Sequence, residues 1–596
     1  MLGRYLYIVL AWVFLMAMHP DRILGQTRAG DMEVYKSIPQ EGVYLHQNST
    51  LLFAGERLYF KVYCLNLDSN GLSELSKIAY VSLIDENLQP VFRQKIRLVN
   101  GTGQGDFSIP AEVQTGSYKL IGYTSWMLSR PAKQFFESDL IIINPYKATA
   151  ESLLEKQPQD SIPADSLRPI PDTPIPVKML RNISGENLIS VAINRASFAK
   201  RSAVQVDIRA LKASANNGSY SMTVRKVDSM FPSVGETAVS FWMDKSNTRI
   251  PGSATSQVIP EIRGELFSGR VVSEANGTAI PGKRVVLSLP GDPYIMDLAH
   301  TDKEGRFYFN LDTPVNSTNA IFQIFDENRE AYILNLDEHR VPDFGSLEFP
   351  SFTLNNRLES RILQRSINNQ IENAYAIAKS DTVVKPKEDI PFYRNYQQEF
   401  FLDDYTRFNT LRETMVEIID NAWIDENGDD DPTFGVRPFD GYLDAGLLKP
   451  IVFMDGLLIQ DHKDIVNYNS KEVRRIFISQ DRYLMGPSVF QGLVALETKS
   501  GEFYESFYRE FLINRELFRP EAKRAYFFEN HGGERATDRL PDFRYQLYWN
   551  PKLTLSDKST SIQFYTSDIK GIFEIELKGY SVLGEPVSII RTFQVE

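Results

Sequence analysis

The sequence predicts a mainly β protein, built of tandem β-sandwiches with one α+β region. Three observations carry this. Aromatic residues make up 12% of the chain, mostly Phe and Tyr, and they favour the pleated, half-buried surface of a sheet. Short Val/Ile/Tyr-rich runs with period-two alternation recur between Gly, Pro and Asn turn signals, the pattern of successive short strands. Sustained helical spacing is confined to residues 352–380 and 403–419. At 596 residues the chain is too long for one core and should divide into roughly three to five domains. Its 42% hydrophobic and 24% charged residues are the proportions of packed globular domains. The formal charge of −12 has the wrong sign for nucleic acid or an anionic membrane, so those partners are set aside.

Residues 1–25 set the compartment. Arg4 precedes an apolar run from Tyr5 to Met18 and a short polar stretch ending Ile23-Leu24-Gly25, the order of a cleavable secretory signal. The run is shorter than the ~20 residues that span a bilayer, and no later segment approaches that length, so no transmembrane segment is expected after cleavage. Removing Arg4, Arg22 and Asp21 with the leader takes the charge of −12 to about −13. The only cysteine, Cys64, allows no internal disulfide. Export without disulfides points to a bacterial envelope.

The first module is expected at 30–145. In "LYFKVYCLN" (58–66) alternation puts Leu58, Phe60, Val62 and Cys64 on one face and Tyr59, Lys61, Tyr63 and Leu65 on the other, which makes Cys64 a small buried hydrophobe. "IAYVSLIDEN" (78–87) and "GSYKLIGYTSWM" (116–127) are further strands of a sandwich. Together with "IPQEGVYLHQNSTLLFAGERLYFKVY" they resemble the macroglobulin-type β-sandwich domains of exported Bacteroidota proteins, so the fold class expected is tandem immunoglobulin- or macroglobulin-like sandwiches.

Residues 146–177, "EKQPQDSIPADSLRPIPDTPIPV" at their centre, are rich in Pro, Asp and Ser and are expected to be an extended linker. Asp160-Ser161-Ile162 and Asp165-Ser166-Leu167 resemble the short O-glycan acceptor pattern of Bacteroidota. A second sandwich is expected at 178–257, from "LISVAINRASFAKRSAVQVDIRAL" and "GSYSMTVRKVD". A third, at 258–345, shows Gly269, Val271, a turn, Pro281-Gly282, a strand, then Thr301, Asp302 and Gly305. This order resembles the regulatory-like β-sandwich attached to carboxypeptidases, a fold without an activity of its own.

The period then changes. Leu354, Leu358, Ile362, Leu363, Ile367 and Ile371 fall at helical intervals, predicting a helix within 352–380 that docks this apolar face against a sheet. A second helix is expected over 403–419, capped by Asp404 or Thr406.

At 450–501 the chain offers a strand ending in Asp455-Gly456, a short helix around Ile465 to Val473, a strand Arg475 to Ile478, glycines at 486 and 492, and a strand ending at Lys499-Ser500-Gly501. This resembles the plug domain of TonB-dependent receptors and sets an α+β domain at 395–510. Only 95 residues follow Gly501, too few for the ~22 strands of a receptor barrel, and no energy-coupling box is evident, so a plug without its own barrel is expected. The tail 535–596 alternates as a last sandwich and again resembles macroglobulin-like domains.

Catalytic constellations are thin. The mature histidines, His46, His300, His339, His462 and His531, show no metal-ligand spacing. No Gly-x-Ser-x-Gly elbow, phosphate loop or thioester motif is present. "DENGDDD" (425–431) offers Asp425, Asn427, Asp429 and Asp431 as a calcium candidate, but Asp430 and Val436 stand where such a loop needs Gly and Glu. Asp461-His462, with no nucleophile at hand, reads as a surface turn. No catalytic residue and no cofactor are expected.

The reading is a non-enzymatic interaction protein, exported and associated with the outer membrane of a Gram-negative bacterium. It would dock peripherally onto an outer-membrane barrel protein or a multiprotein envelope complex, with Asp455, Gly456, Asp461, His462, Tyr468, Arg475 and Ile478 as the contact surface. The alternatives are a macroglobulin-like protease decoy, or an envelope hydrolase whose carboxylates pair across domains.

Overall fold

The computed structural model describes residues 38–129, 135–148, 153–154, 185–228, 230, 235–247, 258–291, 293–312, 317–384, 394–426, 432–439, 448–485, 488–520, 522–532, 539–555 and 559–596. The leader at 1–25, most of the linker at 146–177, Gly486, and Asn427, Asp429 and Asp431 lie outside that set. The fold is mainly β, with many sheets and few helices. It divides into two compact units: Val34–Gly264 with Arg340–Lys385 and Arg519–Glu596, and Glu265–His339 with Pro386–Phe518.

The first of these holds two sandwiches. In one, the strands Glu41–Gln47, Arg57–Asn66, Gly71–Leu72 and Thr102–Ser108 form one sheet. The other sheet runs in the order Leu51–Phe53, Phe136–Ile143, Gly116–Tyr123, Ile78–Ile84, Pro90–Arg97. Leu58, Phe60, Val62 and Cys64 line the core between them, as alternation requires. Lys61 and Tyr63, on the opposite face of the same strand, are buried as well. They meet the second sandwich: Lys61 Nζ donates to Ser219 Oγ at 2.7 Å, and the Tyr63 hydroxyl lies 2.8 Å from Ser221 Oγ.

That second sandwich is assembled from distant halves of the chain. Ser219–Lys226 lies between Gly571–Tyr580 and Gln546–Leu553 in one sheet, while Ala203–Ala210 pairs with Ile189–Ile193 and Ser559–Tyr565 in the other. Tyr220, Met222 and Val224 share a core with Phe573, Ile575 and Leu577. The separate sandwiches expected at 178–257 and 535–596 are therefore one. Neither half has the strands to cover its own apolar face, and each completes the other.

Gly584, in the turn before the strand Pro586–Val595, has φ +75°, and a Cβ placed there would fall on the carbonyl oxygen of Asn70 in the first sandwich. Gly584→Ala combines an unfavourable backbone with overpacking and is expected to cost about 2–4 kcal/mol. An unchanged midpoint in urea unfolding would contradict the contact.

The helix Glu359–Ala374 packs onto the first sandwich with a mostly polar face that takes in only part of its apolar spacing, Leu354 and Ile362 joining Leu51 and Phe53 in one core. Leu363 and Ile367 are exposed, whereas Arg365, Ser366, Asn368 and Asn369 are buried. The reason is a set of carbonyls within residues 51–55 that face the helix. Asn369 Nδ2 donates to the Ala54 carbonyl at 2.8 Å, Asn373 Nδ2 to Gly55 at 3.1 Å and Arg365 to Leu51 at 3.2 Å. Buried carbonyls need donors more than this helix needs its leucine covered. At Gly55, φ +88°, a Cβ would stand 2.7 Å from Asn373 Nδ2 and 2.9 Å from Asn369 Nδ2, so only glycine allows the helix this close.

In the other unit, Glu265–Ser273, Arg306–Leu311 and Tyr332–Leu336 form one sheet, and Ile295–His300, Arg284–Leu289, Asn319–Ile324 and Ile513–Glu516 another. A five-stranded sheet runs Gln398–Phe401, Val473–Met485, Ser488–Thr498, Ile451–Met454, Leu457–Leu458. The domains expected at 258–345 and 395–510 are not independent. Ile513–Glu516 extends the first by a strand, and Val286, Tyr294 and Met296 share a core with Ile451, Phe453 and Phe477. The helix expected over 403–419 begins only at Leu411. Thr410 caps it, taking the Glu413 amide while Glu413 takes the Thr410 amide, a capping box that the candidates Asp404 and Thr406 do not form.

Candidate binding site

Of the residues expected to form a partner surface, four are buried and three are partly exposed. Asp455, nearly buried at φ +48°, accepts from the Thr498 amide at 2.8 Å, the Thr498 hydroxyl at 2.5 Å and the Phe503 amide at 2.9 Å. Gly456 packs against Tyr294 so closely that a Cβ would collide with that side chain. Asp461 pairs with Arg329, whose guanidinium lies over the Phe511 ring. His462 is buried rather than on a surface turn, and its Nδ1 accepts the Phe434 amide at 3.0 Å.

Tyr468 sets its ring edge-on to Phe503. Arg475 bonds Glu497 at 2.5 Å and Glu399 at 3.0 Å. Ile478 is fully buried, with Gln398 beside it on one side and Val494 on the other, so the strand edge it was expected to offer is already filled. Asp455, Gly456, His462 and Ile478 are thus buried in the fold, while Asp461, Tyr468 and Arg475 stay partly exposed. Asp455→Ala strands three donors, two of them backbone amides, and is expected to destabilise by about 2–3 kcal/mol in chemical denaturation, against no change if Asp455 were a spare surface carboxylate.

Asp425 is exposed at the end of the strand Ala422–Asp425; Asn427, Asp429 and Asp431 lie outside the described residues. Among the described residues no three His, Cys, Asp or Glu side chains are placed to hold a metal.

In the two-sandwich unit a serine, a histidine and a carboxylate do come together. His46 Nδ1 shares a 2.6 Å hydrogen bond with Ser221 Oγ, and His46 Nε2 lies 3.8 Å from Glu576. His46 and Ser221 are wholly buried, out of reach of any substrate. Burial lowers the imidazole to about 4 against the pull of Glu576, so it is neutral at pH 7. Burial likewise pushes the Cys64 thiol far up, leaving it inert.

The same unit contains an accessible cavity of about 410 Å³, within the range of small-ligand sites. Its walls are the strand start at Arg57 and Tyr59, the polar side of the helix Glu359–Ala374, residues 524–528 and the segment 543–549. Seven Arg and Lys side chains line it against four Asp and Glu. Carboxylates fix several cations from behind: Arg57 pairs with Asp381, Arg365 with Glu56 and Asp228, and Arg225 with Glu574 at 2.8 Å. Aromatic rings complete the wall. Tyr59 stacks on Trp549 at 6.0 Å and meets Tyr526 edge-on at 5.1 Å.

No family model matches the chain. No curated protein matches it either. Solved structures it is similar to include the Escherichia coli alpha-2-macroglobulin activated by porcine elastase, at 9% identity and TM-score 0.23, with 93% of this chain and 44% of that one covered. The Salmonella alpha-2-macroglobulin reacted with methylamine gives 8% identity and TM-score 0.15 over 93% of this chain and 23% of that one. The Escherichia coli adhesin FdeC gives 9% and 0.13 over 49% and 63%. This chain thus spans less than half of the macroglobulins it matches, and at such TM-scores nothing about its activity follows from them.

Sequence reasoning missed the cavity because its walls come from five separated stretches. One local signal was present: Arg365, Asn369 and Asn373 repeat at four-residue intervals, a polar stripe along one side of a helix.

Proposed function

We infer that the protein is a non-enzymatic interaction protein of a bacterial envelope, which works by holding a partner against rigid sandwich surfaces. The observation that carries this reading is the division of its chemistry. The His46–Ser221 pair and the Cys64 thiol are sealed in the interior, while the accessible cavity is walled by aromatic rings and by cations of which several are fixed by carboxylates. Such a wall suits recognition, since its donors are preorganised and lose little freedom on binding.

The leader-like start supports export. No described helix is long and apolar enough to cross a membrane. An outer-membrane barrel protein or a larger envelope complex remains the partner class we propose, and the likeness of 450–501 to a receptor plug supports it. The surface we assign is now the cavity side of the two-sandwich unit in place of the 455–478 segment.

Lysine-reactive crosslinking in intact cells, read by mass spectrometry, tests this. Crosslinks from this chain to one envelope protein, at a yield independent of active-site inhibitors, are expected. Reproducible turnover of an envelope substrate by the purified chain would overturn it.

A further inference from the structure

We propose that the cavity binds a carboxylate carried on a flat apolar body. The inference rests on the interaction reading above and adds the ligand to it. Two buried or half-buried donors on the wall have no acceptor among the described residues: Trp549 Nε1, on a side chain 2% exposed, and Arg225 Nε. A buried indole N–H without a partner costs free energy, which an arriving acceptor would recover.

At another part of the same wall Arg57 and Arg524 converge on one carboxylate, Asp106, at 3.8 and 3.6 Å. Both side chains remain about a third exposed; Arg57 is also held by Asp381 and by Ser108 Oγ at 3.2 Å, while Arg524 has only its 3.6 Å side-chain contact among the described residues, which leaves its guanidinium N–H groups available. The planar fork of arginine matches a carboxylate. Beside these donors Tyr59 stacks on Trp549 and meets Tyr526 edge-on, an aromatic wall against which a flat apolar body can lie. The volume of about 410 Å³ holds one aromatic amino acid with its carboxylate, not a long segment.

The carboxylate could belong to the C-terminal residue of a partner polypeptide or to a free aromatic acid. Isothermal titration of the full chain with N-acetylphenylalanine, its amide, and a peptide ending in Phe with a free carboxylate separates the two. Binding of the acid and of the free-ended peptide is expected, with the amide at least tenfold weaker. A peptide bound at least tenfold more tightly than the acid identifies a polypeptide C-terminus; equal binding identifies a free acid.

Arg524→Met should weaken the acid at least tenfold, and Trp549→Phe, which keeps the ring and removes the donor, about fivefold. Arg524→Met should keep the circular dichroism and melting profile of the parent, since its side chain makes only the 3.6 Å contact among the described residues; Trp549→Phe, in a buried ring, should keep the circular dichroism and melt somewhat lower. Equal binding of acid and amide, binding indifferent to both substitutions, or no binding of any probe at millimolar concentration would overturn the proposal. The last result leaves the interaction reading standing if the crosslinked partner is still found, because a partner can use another surface.

Discussion

Arg365→Ala is expected to destabilise the two-sandwich unit by about 3–5 kcal/mol, read as a fall in the urea midpoint. Arg365 is 6% exposed. It gives Glu56 two hydrogen bonds, at 2.8 and 2.7 Å, bonds Asp228 as well, and reaches the Leu51 carbonyl. Its guanidinium sits over the rings of Phe53 at 4.5 Å and Tyr545 at 5.0 Å. Flanking carboxylates raise its pKa further despite burial. Truncation leaves two largely buried carboxylates without their counter-charge, which is why the loss exceeds that of a surface pair. Arg365→Lys should fall between, since an ammonium keeps the charge and cannot bridge in the plane. A change below about 1 kcal/mol for the alanine variant would place this arginine outside the core of the unit.

Lys61→Met is expected to do the opposite. Lys61 is 3% exposed, donates to Ser219 Oγ and the Tyr220 carbonyl, and lies 4.6 Å from the Tyr63 ring centroid. Burial, with a smaller push from Lys552, lowers its pKa to about 7 from 10.5. Between pH 7 and the unfolded value the unfolded chain holds a proton that the folded chain has released. Stability therefore rises with pH across that window and is reduced at pH 7 and below. The gain from pH 7 to 9.5 is expected to be about 2–3 kcal/mol. Lys61→Met should abolish that slope and raise stability at pH 7 by about 1–3 kcal/mol. Above pH 10 the buried Tyr59, raised to about 12, works in the other direction, so the comparison belongs below that point. A flat profile in the parent protein would refute the assignment.

The fold class was legible because alternation and turn residues are local: the strand Arg57–Asn66 and the core face Leu58, Phe60, Val62 and Cys64 follow from period two alone. Pairing was not. Ser219–Lys226 finds its neighbours more than three hundred residues later, and nothing within either stretch encodes that distance. Lys61 shows the cost: alternation sends it to solvent, and the return of the chain buries it. The helix Glu359–Ala374 was found by its period and its docked face only in part, because periodicity counts apolar side chains and is blind to carbonyls at residues 51–55 that need donors. The motif around Asp455-Gly456 and Arg475–Ile478 was read as surface because a resemblance gives positions without their neighbours; Gln398–Phe401 and Phe503 are those neighbours. The cavity needs five stretches to meet, and only Arg365, Asn369 and Asn373 announced themselves.

Purification of the tagged protein from its native envelope in mild detergent, with mass spectrometry of what accompanies it, tests most directly whether this chain works by binding. The account predicts a stable complex with one outer-membrane barrel protein or envelope assembly, at constant stoichiometry across detergents. Recovery of the chain alone from every mild detergent, with no partner above background, would contradict it.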